Sequence, residues 1–596
     1  MGNTMQGIPA SPGIAIGPAF VAHWPHFQVH HATVTPDQVQ IEIARFQNAR
    51  EQAKQRTLQL RDQVESRLGD VQAKIFDPQV MMLDDPDLVE GTLTYIADSY
   101  LTAERAFSLR VLEFRAQWLD ATHARIMDRV ADLNDVQARV LASLIELPVP
   151  DILHNPPDEP VILVTKELTP SRMVELDRDR VLGVATDAGT RTAHASILAR
   201  SLGIPCVVGL GDLSRRVQNG VEMILDGSRG KVVIRPSESE KHWFHDRDVQ
   251  AREMVKALKA IASLEPITSD GTRIGLYANL ELPDDAAGAV AVNADGVGLF
   301  RTEFLVVGKT AVPDEQEQYE AFRRVVDTLA PRPVTIRTFD LGGDKFPLFL
   351  PPIAEENPFL GWRGIRIYEM MPELFHNQVR AILRVAARGP VQLLVPMVNT
   401  VDEVRGVRRV MEEARRELER EGAEQGECQL GVMLETPASV AIAEVLGQHV
   451  DFFSLGTNDL IQYMLAVDRG NAQLSPFFDL YHPALLRYIR AAVEAAQQLG
   501  RPLYVCGEAA ADLLGATLLL GLGVRNLSCA PSAILAQKKL IRSLDIEYVE
   551  RLASELLAME TGREIRRRLM EALSERLDPA VLDAELEADA SLSHSD

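Results

Sequence analysis

From residue 270 to about 535 the chain repeats one unit: a short apolar run, a polar loop and a helical stretch. Eight such runs are legible: Ile274–Ala278, Gly296–Leu299, Val334–Phe339, Leu393–Met397, Gly431–Leu434, Phe452–Leu455, Leu503–Cys506 and Arg525–Ser528. Parallel strands covered on both faces read as continuous apolar runs rather than alternating ones. Eight of them, each followed by a helix, is the number that closes a (β/α)8 TIM barrel.

Such a barrel carries its chemistry at the C-terminal ends of the strands, and polar residues recur there. The second run leads into Arg301-Thr-Glu-Phe, and the third holds Arg337-Thr-Phe-Asp340-Leu-Gly-Gly-Asp-Lys345. The fifth ends at Glu435, the sixth runs into Asn458 and Asp459 with Arg469 beyond, and the seventh ends at Cys506. Arg363 closes the string Glu356-Asn-Pro-Phe-Leu-Gly-Trp-Arg363. Taken singly, each has an ordinary role: a surface ion pair, a solvated lysine, a loop cap, a small buried residue. Together, four arginines and a lysine at one mouth call for a small polyanion, since buried cations need partners. Arginine suits phosphate and carboxylate through paired contacts. Glu435 and Asp459 are oxygen donors suited to Mg²⁺, and the Cys506 thiol can give or take a proton.

The N-terminal half reads differently. Residues 1–25 are short, Gly/Pro-punctuated and β-like. Residues 26–146 become helical, with apolar residues at helical spacing (Val64, Leu68, Val71, Ile75) and a net acidic balance. A β/α pattern resumes over 147–236, so the simplest organisation is a discontinuous β/α domain with a helical bundle inserted into it. Residues 237–264 read as a linker helix, roughly 40 Å long at 1.5 Å per residue, with hinges expected near Ser237 and Leu264. The barrel is expected over 265–575, and a flexible acidic tail over 576–596.

Within the β/α domain, Thr186-Asp-Ala-Gly-Thr-Arg-Thr-Ala-His194 puts one histidine after a turn and at the start of an apolar helix. Backbone N–H groups and the positive end of the helix dipole gather there. That setting disfavours an imidazolium and suits a neutral, nucleophilic ring that gains negative oxygens on phosphorylation. Arg191 would add a cationic clamp. The plain alternative, that His194 only packs or caps, loses weight because the barrel supplies the other half of a phosphoryl transfer.

The chain has 596 residues, 46% hydrophobic and 25% charged, with a formal charge of −23. The acidic total argues against nucleic-acid binding through a general basic field. An apolar run long enough to span a bilayer is lacking, so no membrane insertion is expected, nor is a signal peptide. Four cysteines without paired spacing fit a reducing cytoplasm.

These strings, with Phe453-Ser-Leu-Gly-Thr-Asn-Asp-Leu-Ile-Gln-Tyr463, strongly resemble the Enzyme I family of the bacterial phosphoenolpyruvate-dependent phosphotransferase system, over nearly the whole chain. The resemblance implies that His194 is phosphorylated on Nε2 by phosphoenolpyruvate. It implies that Arg301, Arg337 and Arg469 hold the substrate's phosphate and carboxylate, with Arg363, Lys345 and Asn458 in the same pocket. Glu435 and Asp459 would ligate Mg²⁺, and Cys506 would protonate the enolate to give pyruvate. The β/α domain would swivel, the helical insertion would dock the phosphocarrier HPr, and the barrel would form a homodimer. The chain departs from the family pattern at Thr190, where a second glycine is more frequent, and at Ala193, where serine is. Two alternatives stand beside this reading: an enzyme like phosphoenolpyruvate synthase or pyruvate phosphate dikinase, and a non-catalytic phosphorelay regulator.

Overall fold

A computed structural model describes residues 3–22, 32–68, 73–119, 125–145, 159–190, 194–306, 311–342, 349, 355–469 and 471–576. The chain divides into two compact units, Met1–Arg252 and Glu253–Asp596. Expected features at Arg191, Ala193, Lys345 and the 577–596 tail lie outside the described residues.

The first unit is built on an eight-stranded sheet with the order β1-β8-β7-β3-β4-β5-β6-β2. Its strands are β1 Asn3–Gln6, β2 Ile8–Ser11, β3 Ile14–Ala22, β4 Val161–Thr165, β5 Val181–Thr186, β6 Cys206–Val208, β7 Glu222–Asp226 and β8 Lys231–Ile234. β3 pairs in parallel with β4 although about 140 residues separate them in sequence; the helical insertion leaves and re-enters the sheet at this seam. β4 is buried at all five positions, as its Val-Ile-Leu-Val-Thr sequence requires of a central strand.

The inserted helices run over Val39–Leu68, Asp77–Leu83, Pro86–Ser99, Ala103–Leu119 and Arg125–Ile145. They enclose their own core around Phe46, Phe107, Leu133, Val136 and Val140. Pro86 sits at the first turn of its helix, where no N–H is needed, and the Asp85 carboxylate caps it by accepting from the Leu88 N–H at 3.1 Å.

The expected linker helix is present as Glu238–Ala260, but neither end is a free spacer. Phe244 is buried against Ile224 and Val233 of the sheet, and Trp243 lies under the Arg247 guanidinium. At the other end, the buried Lys538 donates to the Ala262 carbonyl at 2.6 Å and Arg542 to the Glu265 carbonyl at 2.9 Å. The loop around Leu264 is therefore hydrogen-bonded on both sides to the Pro531–Ser543 helix.

The second unit is a closed barrel of eight parallel strands. They are β9 Gly275–Leu280, β10 Val297–Phe300, β11 Val334–Arg337, β12 Val391–Val395, β13 Cys428–Leu434, β14 Phe452–Leu455, β15 Leu503–Val505 and β16 Asn526–Cys529. Each falls within a few residues of an expected run. The third and fourth runs end earlier than their apolar character suggests, at Arg337 and Val395. Phe339 and Met397 lie beyond those ends, Met397 with φ +60°. Apolar side chains there belong to the core beneath the mouth, not to the ladder.

Candidate active site

The barrel mouth gathers Arg301, Arg337, Asp340, Glu435, Asn458, Asp459, Arg469, Cys506 and Glu508 around a cleft with about 830 Å³ of open space. Several come from strand ends: Arg337 is the last residue of β11, Glu435 follows β13 and Cys506 follows β15, while Asn458 and Asp459 lie in the first turn of the Thr457–Leu465 helix and Arg469 lies beyond it. Two glycines make the convergence possible. A Cβ on Gly507 would sit 1.8 Å from Thr457 Oγ1, so only glycine lets the Cys506 loop meet the start of the Asn458 helix. Gly364, at φ +56°, turns the chain directly after Arg363.

The cations are of three kinds. Arg301 and Arg469 are partly exposed: Arg301 donates to Glu281 at 2.7 Å, and Arg469 lies 3.5 Å from Asp459. Arg337 is 5% exposed, donates to Glu303 at 2.9 Å and lies 3.3 Å from Asp340. Burial alone would lower its pKa, but Glu303, Asp340 and Glu435 outweigh burial and raise it. Arg363 is 2% exposed and wholly engaged. It donates to Asp340 at 3.1 and 3.0 Å, to Asp459 at 2.7 and 3.1 Å, and to the Tyr463 hydroxyl at 3.0 Å. It fixes in place two carboxylates, Asp340 and Asp459, that line the cleft. Carboxylates from this chain face the four arginines, and Glu281, Glu303 and Asp340 among them had no assigned role in the sequence. A signal existed for two of the three, since Glu303 and Asp340 sit within the Arg301 and Arg337 strings.

Glu435 is completely buried. Its Oε1 accepts the Met397 N–H at 2.6 Å, while Oε2 has no hydrogen-bond partner. Burial, with the nearby charges of Asp459 and Asp340, pushes its pKa up to about 8; Arg363 and Arg337 pull the other way. A buried carboxylate with an orphan oxygen beside other carboxylates fits a hard cation. Among the described residues no three His, Cys, Asp or Glu form a closed metal cage. Two protein carboxylates with the remaining positions left to substrate and water is the arrangement Mg²⁺ favours.

Cys506 is 3% exposed and receives a hydrogen bond to Sγ from Ser454 Oγ at 3.2 Å. Burial raises its pKa against the opposing effect of that hydroxyl, keeping the thiol protonated at neutral pH. Asn458 Oδ1 accepts the Glu508 N–H at 3.1 Å, which ties the two loops flanking the thiol.

The first unit holds a second site. His194 is the first residue of the His194–Leu202 helix, and Ser196 Oγ donates to the Thr190 carbonyl at 2.8 Å to brace the turn before it. The ring borders a pocket of about 520 Å³ of open space lined by Glu167, Thr186, Gly189 and Cys206 among others. Its Nδ1 lies 3.5 Å from Asp132 Oδ2, and Asp132, on the Arg125–Ile145 helix, is 1% exposed. Sequence reading missed Asp132: it precedes His194 by more than sixty residues, in a bundle with no motif to mark it.

Three families of PEP-utilising enzyme domains cover the chain. The N-terminal domain matches residues 6–129, the mobile domain 157–230 and the PEP-binding domain 255–546. Phosphoenolpyruvate-protein phosphotransferases from Staphylococcus carnosus and Priestia megaterium are each 36% identical over 568 residues, covering 95% of this chain and 98% of the relative. The Staphylococcus aureus protein of that name is 35% identical over the same span. The chain belongs to the phosphoenolpyruvate-protein phosphotransferase family. The mobile-domain match contains His194 and the PEP-binding match contains the barrel mouth. Among the described residues no helix is long and apolar enough to cross a membrane.

Proposed function

We propose that the chain takes the phosphoryl group of phosphoenolpyruvate onto Nε2 of His194 and passes it to a histidine of HPr, the first step of the phosphotransferase system. The observation that carries this reading is the pairing of two sites: a cationic cleft with a protonated thiol at one, and a histidine backed by a buried carboxylate at the other.

In the barrel, Arg301, Arg337 and Arg469 neutralise the phosphate and carboxylate, with Asn458 beside them. Arg363, placed in the same pocket, also holds Asp340 and Asp459. Glu435 and Asp459 would hold Mg²⁺. When bound, that ion supplies further neutralisation of phosphate and enolate oxygens. His194 Nε2 attacks phosphorus, the N–P bond forms, the bridging P–O bond breaks, and its electrons pass to the enolate of pyruvate. The Cys506 S–H proton then moves to the methylene carbon, giving pyruvate and a thiolate that solvent reprotonates. Asp132 faces Nδ1 and so favours the tautomer with its lone pair on Nε2.

His194 belongs to one unit and the cleft to the other, so this reading requires the ring to meet the cleft for loading and HPr for unloading, a change of arrangement. With Phe244 fixed to the sheet and Ala262 to the barrel, the helix between them absorbs the change. HPr docks on the helical insertion, where Met81 is 73% exposed and Asp87, near it in sequence, is exposed too; apolar and acidic groups together suit a basic partner. Exposed Leu360 and Phe477 suit a barrel-mediated homodimer, and unpaired thiols suit the cytoplasm.

The test is labelling with radioactive phosphoenolpyruvate. His194→Ala loses all acid-labile, base-stable label, while its circular dichroism matches wild type. Label retained at another residue overturns the assignment.

A further inference from the structure

Behind Asp132 lies a buried polar network that the phosphoryl-transfer reading leaves without a role. Gln79, on the Asp77–Leu83 helix, is completely buried; Asp135 and Ser171 are 4% and 5% exposed. Gln79 Nε2 donates to Asp132 Oδ1 at 3.0 Å and to Asp135 Oδ2 at 3.2 Å, so its two amide protons are spent on two carboxylates. Its Oε1 accepts from Arg139 at 2.5 Å, which fixes the orientation of the amide. Arg139 also donates to Asp135 at 2.8 Å, to Ser171 Oγ at 2.7 Å and to Thr57 Oγ1. Ser171 in turn donates to Asp135 at 2.7 Å.

The arrangement is asymmetric in a way that matters. Asp135 is satisfied three times over, by Arg139, Ser171 and Gln79. Asp132 receives its structural hydrogen bond on Oδ1 from Gln79 and turns Oδ2 toward His194 Nδ1 at 3.5 Å. Asp132 and Asp135 lie three residues apart on one helix, so they share a face. Two buried carboxylates that close need a donor between them or one turns away or takes up a proton. The neutral amide is that donor, and it adds no charge that would compete with the imidazole.

We infer that Gln79 is a positioning residue for the phosphoryl-accepting histidine: held by Arg139, it aims the Asp132 carboxylate at Nδ1 and leaves the lone pair on Nε2. This rests on the reading that His194 receives the phosphoryl group.

The test uses the full-length chain labelled with ¹⁵N at its 13 histidines, the His194 ring signals being those lost in His194→Ala. In wild type at neutral pH, Nδ1 should carry the proton and Nε2 should show the shift of an unprotonated nitrogen. Gln79→Leu keeps the volume and removes both donors; Gln79→Glu keeps the contact with Arg139 and turns the donor to Asp132 into a repulsion. In either folded variant the ring should become a mixture of tautomers. The kcat for phosphoenolpyruvate-dependent phosphorylation should fall about 10-fold or more, as loss of an orienting partner does, with KM within roughly twofold. A role confined to packing would lower thermal stability and leave the tautomer and kcat alone. That result in folded Gln79→Leu overturns the inference. If both variants misfold, the wild-type spectrum decides, since a proton found on Nε2 overturns the inference unaided. Wild type that shows the expected tautomer but takes no label at His194 defeats the underlying reading instead.

Discussion

In the mechanism proposed above, Cys506 is the residue on which the direction of the reaction turns. Attack by His194 leaves an enolate, and the step becomes favourable overall only when carbon is protonated. A thiol is an unusual acid for that purpose, and burial makes it usable by holding the proton on sulfur at neutral pH. Cys506→Ala should therefore slow steady-state pyruvate formation by about 10²-fold or more, the usual range for loss of a positioned acid, and leave the melting temperature near wild type. The pH profile adds a sign. An acid whose pKa is raised is competent below that value, so the wild-type rate should hold through neutrality and fall as pH climbs past the thiol's titration. The residual rate of Cys506→Ala should lack that limb. An unchanged rate in the variant, measured with a coupled pyruvate assay, removes Cys506 from the mechanism.

At the scale of elements, strand ends and the loops that follow them do the assembling. Gly507 is the clearest test, because an added methyl group would collide with Thr457 Oγ1 at 1.8 Å and the Thr457 N–H at 2.8 Å. The hydroxyl can rotate away, but the backbone nitrogen at 2.8 Å and the Thr457 Cβ at 3.0 Å cannot, so the start of the Asn458 helix must shift. Gly507→Ala should raise KM for phosphoenolpyruvate and lower kcat together, since Asn458, Asp459 and Cys506 all move; displacements near 1 Å cost about 10²-fold. Wild-type kinetics in this variant would mean that the loops are not in contact during turnover. This level also marks what sequence can and cannot disclose. The eight barrel strands were legible because buried parallel strands are uniformly apolar and loops between them are not. Their ends were less so, because Phe339 and Met397 stay apolar after the ladder stops. Site residues carried by long strings, such as Arg337 and Asp459, could be read directly. Asp132 and Gln79 could not, because on a bundle helix a buried polar residue looks like any solvated one until its neighbours are known. The carboxylate partners of Arg363 could not be read either, for the same reason: partners are not written in spacing.

For the whole molecule, the electrostatic balance of the mouth couples metal, pH and stability. Glu435 has its pKa raised in the folded chain from 4.5 to about 8, chiefly by burial and then by Asp459 and Asp340. Between those values the folded state binds more protons than the unfolded chain, so without metal stability should decline as pH rises through that window. A divalent cation held as proposed would reverse the term, since the ionised carboxylate would be its ligand. At about pH 6 the ion must first displace the Glu435 proton, whereas above about pH 8 the carboxylate is already charged and poorly compensated. Excess Mg²⁺ should therefore raise the melting temperature by more at about pH 8.5 than at about pH 6. Glu435→Gln, which cannot ionise, should flatten the metal-free decline over this range and abolish the Mg²⁺ effect at both pH values. A shift of equal size at both pH values in wild type, or one that survives in Glu435→Gln, would place the ion elsewhere. The orphan oxygen of Glu435 would then have to be explained by the protein alone.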